Sequence, residues 1–197
     1  MIENMKHQTK LLVIVDVING FVHDGALADP DTAHIIPKIE QLAQTFIKEG
    51  QPIVAFRDCH TPDSVEFESF PPHCVIGTGQ EELVPELKAL EHHFIVMDKN
   101  ATSGFVLPEF MALINDMPNL KEVVIVGLCT DICVLNLAIP LKNHYNQYNL
   151  MVDVIAPIAL CDTFHIEGHH DRDEWNHMAH RFMEQAGVSV PQNYKLQ

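Results

Sequence analysis

The sequence predicts an α/β protein with three layers, α/β/α, in which a mostly parallel central sheet lies between helices. Two observations lead to this prediction. Short apolar runs rich in β-branched residues alternate along the chain with longer segments whose apolar residues recur every three or four positions. The apolar runs are also continuous, which is typical of parallel strands that helices cover on both faces.

Five segments have the strand pattern, and helical patterns lie between and after them. The strand-like segments are LLVIVDV (11–17), PIVAF (52–56), HFIVM (93–97), VVIVG (123–127) and LMVDVIAP (150–157). Helices are predicted at 35–47, 81–90, 108–116, 131–145 and 170–186. Gly50 follows the first of these helices, as expected at a helix C-terminus.

Length and composition predict a single domain that spans residues 1–197. The chain has 47% hydrophobic residues, enough for a large core, and a formal net charge of −15. This acidity argues against nucleic acid or an anionic membrane as a partner, because both bind clusters of Lys and Arg. The first ten residues lack the apolar core of a signal peptide, and the five cysteines predict reduced thiols. We therefore expect a cytoplasmic protein.

Residue types that are suited to catalysis follow four successive predicted strands. Asp16 ends the first strand, Asp58 and His60 follow the second, Lys99 follows the third and Cys133 follows the fourth. Because the ligand crevice of an open parallel sheet lies at the carboxyl ends of its strands, we expect these side chains to converge. Each residue alone has an ordinary structural explanation, as a helix cap, a solvated lysine or a buried small side chain.

The segment CTDICV (129–134) places two cysteines four residues apart after the fourth strand. Asp131 is expected to cap the next helix, so that Cys133 lies in the first helical turn. There the helix dipole and the unpaired N–H groups favour a thiolate. Cys133 is therefore the candidate nucleophile, and Cys129 is a small turn residue whose backbone N–H faces the site. A zinc site formed by the pair is disfavoured, because the chain has no second pair.

A thiolate that attacks an acyl carbon needs a base and an electrostatic partner. Asp16 is the candidate base, which takes the thiol proton and passes it to the leaving amine. Lys99 is expected to keep Asp16 charged and to stabilise the thiolate. Burial of these three groups would be costly, so we expect function to explain it, not stability.

The segment 57–79 has the composition of a metal site. Asp58 and His60 share one face of an extended stretch, and His73 follows across a loop. One carboxylate and two imidazoles suit Zn²⁺, Mn²⁺ or Fe²⁺ with positions left open for water or substrate. Glu66 is a further and less certain ligand. The alternative is a polar surface loop that holds no metal.

These motifs resemble those of the isochorismatase-like cysteine hydrolases, and within that superfamily those of the nicotinamidases. The resemblance covers residues 10–165, and its parts occur in the family's order: VDVINGF, RDCH, FPPHCVIGT, DKNATSGF and VGLCTDICV. It implies the isochorismatase-like hydrolase fold. It also implies hydrolysis of nicotinamide, or of a close heteroaromatic amide, to the free acid and ammonia through a thioester, a reaction of NAD salvage.

The resemblance further implies roles for individual residues. The catalytic triad would be Asp16, Lys99 and Cys133, and one divalent ion, Zn²⁺ foremost, would bind Asp58, His60 and His73, with Glu66 less certain. That ion would hold the ring nitrogen of the substrate. Backbone N–H groups of Cys129 and Cys133 would form the oxyanion hole, next to a cis peptide between Leu128 and Cys129. Phe21 and Phe70 would flank the ring, and a homo-oligomer is expected.

Three alternatives stay open at this point. The chain would act on another small amide if the pocket is wider, which Thr102 favours because several nicotinamidases carry an aromatic residue there. A metal-activated hydroxide would attack directly if Cys133 is a spectator, and mutation of Cys133 separates this case. A non-catalytic binding protein of the same fold is the third alternative, and the intact Asp–Lys–Cys set argues against it.

The tail CDTFHIEGHHDRDEWNHMAHRF (161–182) receives no role from the motifs or from the resemblance. His169, Asp173, His177 and His180 share one face of the last predicted helix. We expect this stripe to be a solvated surface or a subunit contact, and not a metal site.

Overall fold

A computed structural model describes residues 2–194, with side chains from Met5 onward, and contains a sheet of five parallel strands. The strands are β1 (Lys10–Val15), β2 (Ile53–Asp58), β3 (Ile95–Lys99), β4 (Glu122–Gly127) and β5 (Asp153–Ile155). Their order across the sheet is β3-β2-β1-β4-β5. The predicted fold class is therefore confirmed, and each strand lies close to its predicted position.

The helices connect the strands and cover both faces of the sheet. They are α1 (Asn19–Val22), α2 (Ile36–Lys48), α3 (Pro85–Lys88), α4 (Pro108–Asn115), α5 (Leu135–Gln147) and α6 (Arg172–Gln185). The helix predicted at 81–90 is only the single turn α3, and α1 was not predicted. No helix within residues 2–194 is long and apolar enough to span a bilayer.

Alternate side chains of β1 enter two hydrophobic cores on opposite faces of the sheet. Leu12 and Ile14 pack on the face that α2 covers. Leu11 and Val13 pack on the other face, which α4, α5 and α6 cover. These four side chains are fully buried. Burial on both faces explains why the strand patterns of the sequence are continuous apolar runs and do not alternate with polar residues.

The crevice of the sheet opens between β1 and β4, where the order of strand addition reverses. β2 and β3 lie on one side of β1, and β4 and β5 lie on the other. At this switch point Gly127 ends β4 with φ +119°, and a Cβ on it would lie 2.1 Å from the Val15 carbonyl oxygen. Glycine is therefore required where the chain leaves the sheet to enter the site.

Candidate active site

Asp16, Lys99 and Cys133 converge at the carboxyl ends of β1, β3 and β4. Lys99 Nζ lies 2.8 Å from Asp16 Oδ2 and 3.8 Å from Cys133 Sγ. Asp16 is 0% exposed, Lys99 1% and Cys133 5%. Strand-end residues from three separate sequence motifs thus form one buried contact set, as predicted.

The backbone and the side chain of Asp16 are both fixed by neighbouring strands. Its φ of +51° lies in the left-handed region, which few non-glycine residues adopt and Asp tolerates better than most. Its N–H donates to the Phe56 carbonyl at 3.1 Å, and its Oδ1 accepts from the Asp58 N–H at 2.8 Å. The remaining oxygen, Oδ2, is thereby directed toward Lys99.

Lys99 has a second carboxylate partner that the sequence did not predict. Its ammonium group also donates to Oδ1 of Asp58. Asp58 and Lys99 are direct Cα partners in the parallel ladder between β2 and β3. Lys99 therefore bridges the candidate base Asp16 and the candidate metal ligand Asp58.

Burial and the charges of neighbouring groups both shift the pKa values of this set. Burial raises the pKa of Asp16 to about 7, although the Lys99 ammonium opposes the shift. It also raises the pKa of the Cys133 thiol well above its usual range, again with Lys99 opposing. Burial alone would lower the pKa of Lys99, but Asp16 and Asp58 raise it well above its usual value. Burial thus opposes the thiolate that was expected from the helix start, whereas the Lys99 ammonium favours it.

Cys133 lies in the nucleophile turn, which we define as residues 129–134 and which includes a π-helical turn at Thr130–Val134. The prediction that Asp131 caps the next helix is wrong. Among the described residues, no side chain caps this turn, and Oδ2 of Asp131 contacts His170 Nε2 at 2.9 Å instead. Asp131 thus binds a residue that is distant in sequence, which a local capping pattern does not take into account.

Cys129 occupies the start of the nucleophile turn as a buried residue. The peptide bond between Leu128 and Cys129 is cis, as the resemblance implies. The carbonyl of Cys129 accepts from the N–H groups of Ile132 and Val134, both at 3.1 Å, which closes the turn around Cys133. The Cys129 carbonyl therefore holds the turn beside Cys133, and a functional role for the Cys129 N–H stays a prediction.

Asp58, His60 and His73 form a buried cluster beside the set of Asp16, Lys99 and Cys133. Oδ2 of Asp58 lies 3.6 Å from Nε2 of each histidine, and the two Nε2 atoms lie 3.2 Å apart. Burial would raise the pKa of Asp58, but Lys99 and the two histidines lower it, so that it is a carboxylate. Three ligand atoms of suitable chemistry therefore face one point.

The outer nitrogens of the two histidines show that the cluster fits a divalent metal ion. Nδ1 of His60 lies 3.1 Å from Asn100 Oδ1, and Nδ1 of His73 lies 2.8 Å from the Pro71 carbonyl oxygen. Both oxygens are acceptors, so these contacts favour a proton on each Nδ1, which leaves the Nε2 lone pairs to face the cluster. Asn100 directly follows Lys99 in DKNATSGF but was not selected from the sequence.

Glu66 lies at the edge of this cluster. Its Oε2 is 3.5 Å from His60 Nε2, whereas its Oε1 accepts from the Thr102 N–H at 2.8 Å and from the Thr102 hydroxyl. In the described part of the chain, the compact ligand group at this point is Asp58, His60 and His73, without Glu66. Thr102 thus holds one oxygen of Glu66, and a metal contact of Glu66 stays a prediction.

A cavity connects Cys133 to Asp58 and His73 of the cluster. Its apolar walls are Phe21, Leu27, Phe70, Ile132 and Phe164. The ring centroids of Phe21 and Phe70, which were predicted to flank a substrate ring, lie 5.7 Å and 6.1 Å from that of His73. Leu27 and Phe164 come from segments without a recognised motif, so no sequence signal selected them.

The histidine stripe predicted on the last helix is only partly on that helix. His169 precedes α6 and is exposed, whereas His180 lies on α6 and is 7% exposed. Within residues 2–194, the groups of three metal-ligand side chains all lie at the sheet edge and include none of these histidines.

The chain matches the family model of the isochorismatase domain over residues 10–188. It belongs to the isochorismatase family. The family prediction made from the motifs is therefore confirmed.

Named members of the isochorismatase family resemble this chain over most of its length. Nicotinamidase 1 of Arabidopsis thaliana is 35% identical over 187 residues, which cover 86% of this chain and 75% of that protein. The crystal structure of nicotinamidase PncA from Bacillus subtilis has a TM-score of 0.76 and 29% identity, over 93% of this chain and 99% of that one. A pyrazinamidase of Pyrococcus horikoshii in complex with zinc has a TM-score of 0.75 and 25% identity, again over 93% and 99%.

Proposed function

We propose that this chain is an amidohydrolase that converts nicotinamide, or a close heteroaromatic amide such as pyrazinamide, to the free acid and ammonia. One observation carries this proposal. The nucleophile Cys133 and two members of the metal-ligand cluster, Asp58 and His73, line the same aromatic-walled cavity. Relatives named nicotinamidase, at 35% and 29% identity, support it.

Asp16 acts as the base in the first step. Its pKa near 7 allows it to take the thiol proton of Cys133 and to return a proton under neutral conditions. Lys99 contacts both groups and stabilises whichever of them carries the negative charge. The sulfur then forms a bond to the amide carbonyl carbon, and the π electrons of the carbonyl move to its oxygen.

The backbone N–H groups of Cys129 and Cys133 stabilise the resulting oxyanion. Asp16 passes its proton to the amide nitrogen, the carbon–nitrogen bond breaks, and ammonia leaves a thioester on Cys133. Asp16 next takes a proton from water, whose oxygen attacks the thioester carbon. The carbon–sulfur bond breaks, the acid is released, and Cys133 recovers its proton.

Asp58, His60 and His73 are the proposed ligands of one divalent ion. We favour Zn²⁺ over Mn²⁺ or Fe²⁺, because this donor set suits zinc and one similar structure is a zinc complex. When bound, such an ion supplies an electron-pair acceptor for the ring nitrogen of the substrate. Phe21 and Phe70 offer apolar faces to the same ring.

Ammonia release from nicotinamide, pyrazinamide, benzamide and an aliphatic amide tests the proposal. Benzamide has the shape of nicotinamide without the ring nitrogen. We therefore expect its kcat/KM to be lower by a factor that corresponds to about 2–4 kcal/mol of activation free energy. Equal turnover of nicotinamide and benzamide would reject recognition through the ring nitrogen. Hydrolysis of the aliphatic amide alone would assign the chain to another activity of the isochorismatase family.

We also propose a cytoplasmic setting in NAD salvage and a homo-oligomeric assembly. The five cysteines are all free thiols, which supports a reducing compartment. The net charge of −15 supports the absence of nucleic acid and membrane partners. Size-exclusion chromatography with light scattering would test the assembly, and a monomer at micromolar concentration would contradict it.

A further inference from the structure

The segment that precedes α6, residues 161–171, supplies one wall of the cavity, and we call it the pre-α6 segment. Phe164 lies in this segment and lines the cavity together with Cys129 and Ile132. The segment begins beside β4, where Gly127 and Cys161 form an isolated parallel bridge. Its path therefore brings a residue without any recognised motif next to the nucleophile turn.

His170 holds Phe164 in a stack of three aromatic rings. The centroids of His170 and Phe164 are 4.0 Å apart with an angle of 18° between the planes. On its other face, His170 stacks on Trp175 at 4.8 Å and 5°. His170 is 9% exposed, whereas its neighbour His169 is exposed. Stacks of this geometry fix the orientation of both outer rings.

Both ring nitrogens of His170 meet oxygen atoms on different parts of the chain. Nδ1 lies 2.9 Å from the Phe164 carbonyl oxygen, and Nε2 lies 2.9 Å from Oδ2 of Asp131 in the nucleophile turn. The other carboxylate oxygen of Asp131 is buried and has no hydrogen-bond partner within the described residues. His170 is therefore the group that orients the Asp131 carboxylate.

The backbone of the pre-α6 segment is held independently of the His170 ring. Ile166 and His170 exchange backbone hydrogen bonds of 2.9 Å and 2.8 Å. Asp29 accepts from the His165 N–H at 2.8 Å and from Arg172 Nη2 at 2.6 Å. Changes to the imidazole should thus alter the positions of Phe164 and Asp131 while the segment keeps its path.

We propose that His170 is a positioning residue, which holds Phe164 as an aromatic wall for the substrate and ties that wall to the nucleophile turn through Asp131. This inference rests on the proposed function, because it assigns the wall to the ring of an aromatic amide. Phe164 then provides the apolar face that Thr102, engaged with Glu66, does not provide.

Two substitutions separate the stack from the hydrogen bond. His170→Gln keeps a donor toward Asp131 and loses the stack, so KM for nicotinamide should rise about tenfold while kcat changes less than about twofold. His170→Phe keeps the stack and loses the contact with Asp131, so kcat should fall about tenfold with little change in KM. His169→Ala, at the exposed neighbour, is the matched control and should change neither value.

Labelling of Cys133 measures the wall without any turnover. N-benzyl iodoacetamide carries a ring and iodoacetamide does not, and mass spectrometry of the peptide that contains Cys133 gives both rates. The ratio of the N-benzyl iodoacetamide rate to the iodoacetamide rate should fall about fivefold in His170→Gln and stay unchanged in His169→Ala.

Trp175 is the single tryptophan of the chain, so its fluorescence reports the stack. Nicotinamide should change this fluorescence in Cys133→Ala, and the additional change His170→Gln should abolish the response.

An unchanged labelling ratio and an unchanged fluorescence response in His170→Gln would overturn the inference. If both His170 variants unfold, Phe164→Leu takes their place, and a labelling ratio equal to that of the wild type would then overturn it. If the wild-type protein releases no ammonia from nicotinamide but the ratio still falls in His170→Gln, the proposed function fails and the wall assignment stands.

Discussion

The carboxyl edge of the sheet and the loops that wall the cavity position their side chains by different means. Asp16 and Lys99 leave the ends of strands, are almost fully buried and pair as charges. Phe70 and Phe164 come from irregular segments and contribute apolar faces. The register of the parallel strands positions Asp16 and Lys99. Tertiary contacts of individual side chains position Phe70 and Phe164.

This difference separates chemistry from recognition. Displacement of a group at the sheet edge leaves a buried charge without its partner, which is costly. A change in a loop wall alters the fit of the substrate and leaves the reactive groups in register. We therefore expect sheet-edge variants to lose mainly kcat and wall variants to change mainly KM.

The largest effect is expected for the nucleophile. Cys133→Ala should lower kcat by at least about 10³, because the covalent route is lost, while the fold and substrate binding are retained. Cys129→Ala is the matched control in the same turn, and it should be far milder because only its backbone has a role. Steady-state ammonia release measures both. A Cys133→Ala variant that keeps a tenth of the activity would favour the metal-activated hydroxide and a spectator cysteine.

The base comes next. Asp16→Asn keeps the shape of the side chain but removes the proton acceptor, so kcat should fall by about 10² or more. Alkylation of Cys133 by iodoacetamide should slow in this variant and in Lys99→Met, because the thiol loses its proton acceptor or its positive neighbour. Alkylation rates equal to those of the wild type in both variants would reject the assigned triad.

The Asp58–His60–His73 cluster belongs to both regions, because Asp58 ends a strand of the sheet and His73 lines the cavity. Purified protein should contain about one divalent ion per chain. The double variant of His60→Ala and His73→Ala should lose it, with a higher KM and a lower kcat, because the ligand atoms of the site are gone. The exposed pair His92 and His93, changed to Ala in the same way, is the control. Full activity of metal-free protein, verified by elemental analysis, would contradict the metal site.

The smallest effect is expected at the rim of the cavity. Thr102→Val removes the hydroxyl that donates to Glu66 but keeps the N–H contact, so KM should rise about threefold to tenfold with kcat nearly unchanged. Thr102→Ser should restore the wild-type KM. A fall in kcat larger than the rise in KM would show that Glu66 belongs to the chemistry of the sheet edge.

Local patterns in the sequence were sufficient to predict the strands in their order along the chain and the candidate catalytic residues. β1, β2, β3 and β4 could be predicted because continuous apolar runs are needed to bury both faces of a parallel sheet. Asp16, Lys99 and Cys133 could be predicted because strand ends of one such sheet share an edge. The cap assigned to Asp131 failed, since a cap preference is local and its actual partner, His170, lies 39 residues away.

The sequence by itself determined the fold class, the family and the chemical groups of the candidate site, since each depends on short-range periodicity or on a motif of adjacent residues. Tertiary structure alone decided which side chains meet at the site. Lys99 contacts Asp58, Thr102 contacts Glu66, and Phe164 lines the cavity. Tertiary structure also decided that Cys133 is buried, which raises the pKa of its thiol against the opposing effect of Lys99. Register, burial and long-range contacts arise only when the chain packs, so no local pattern contains them.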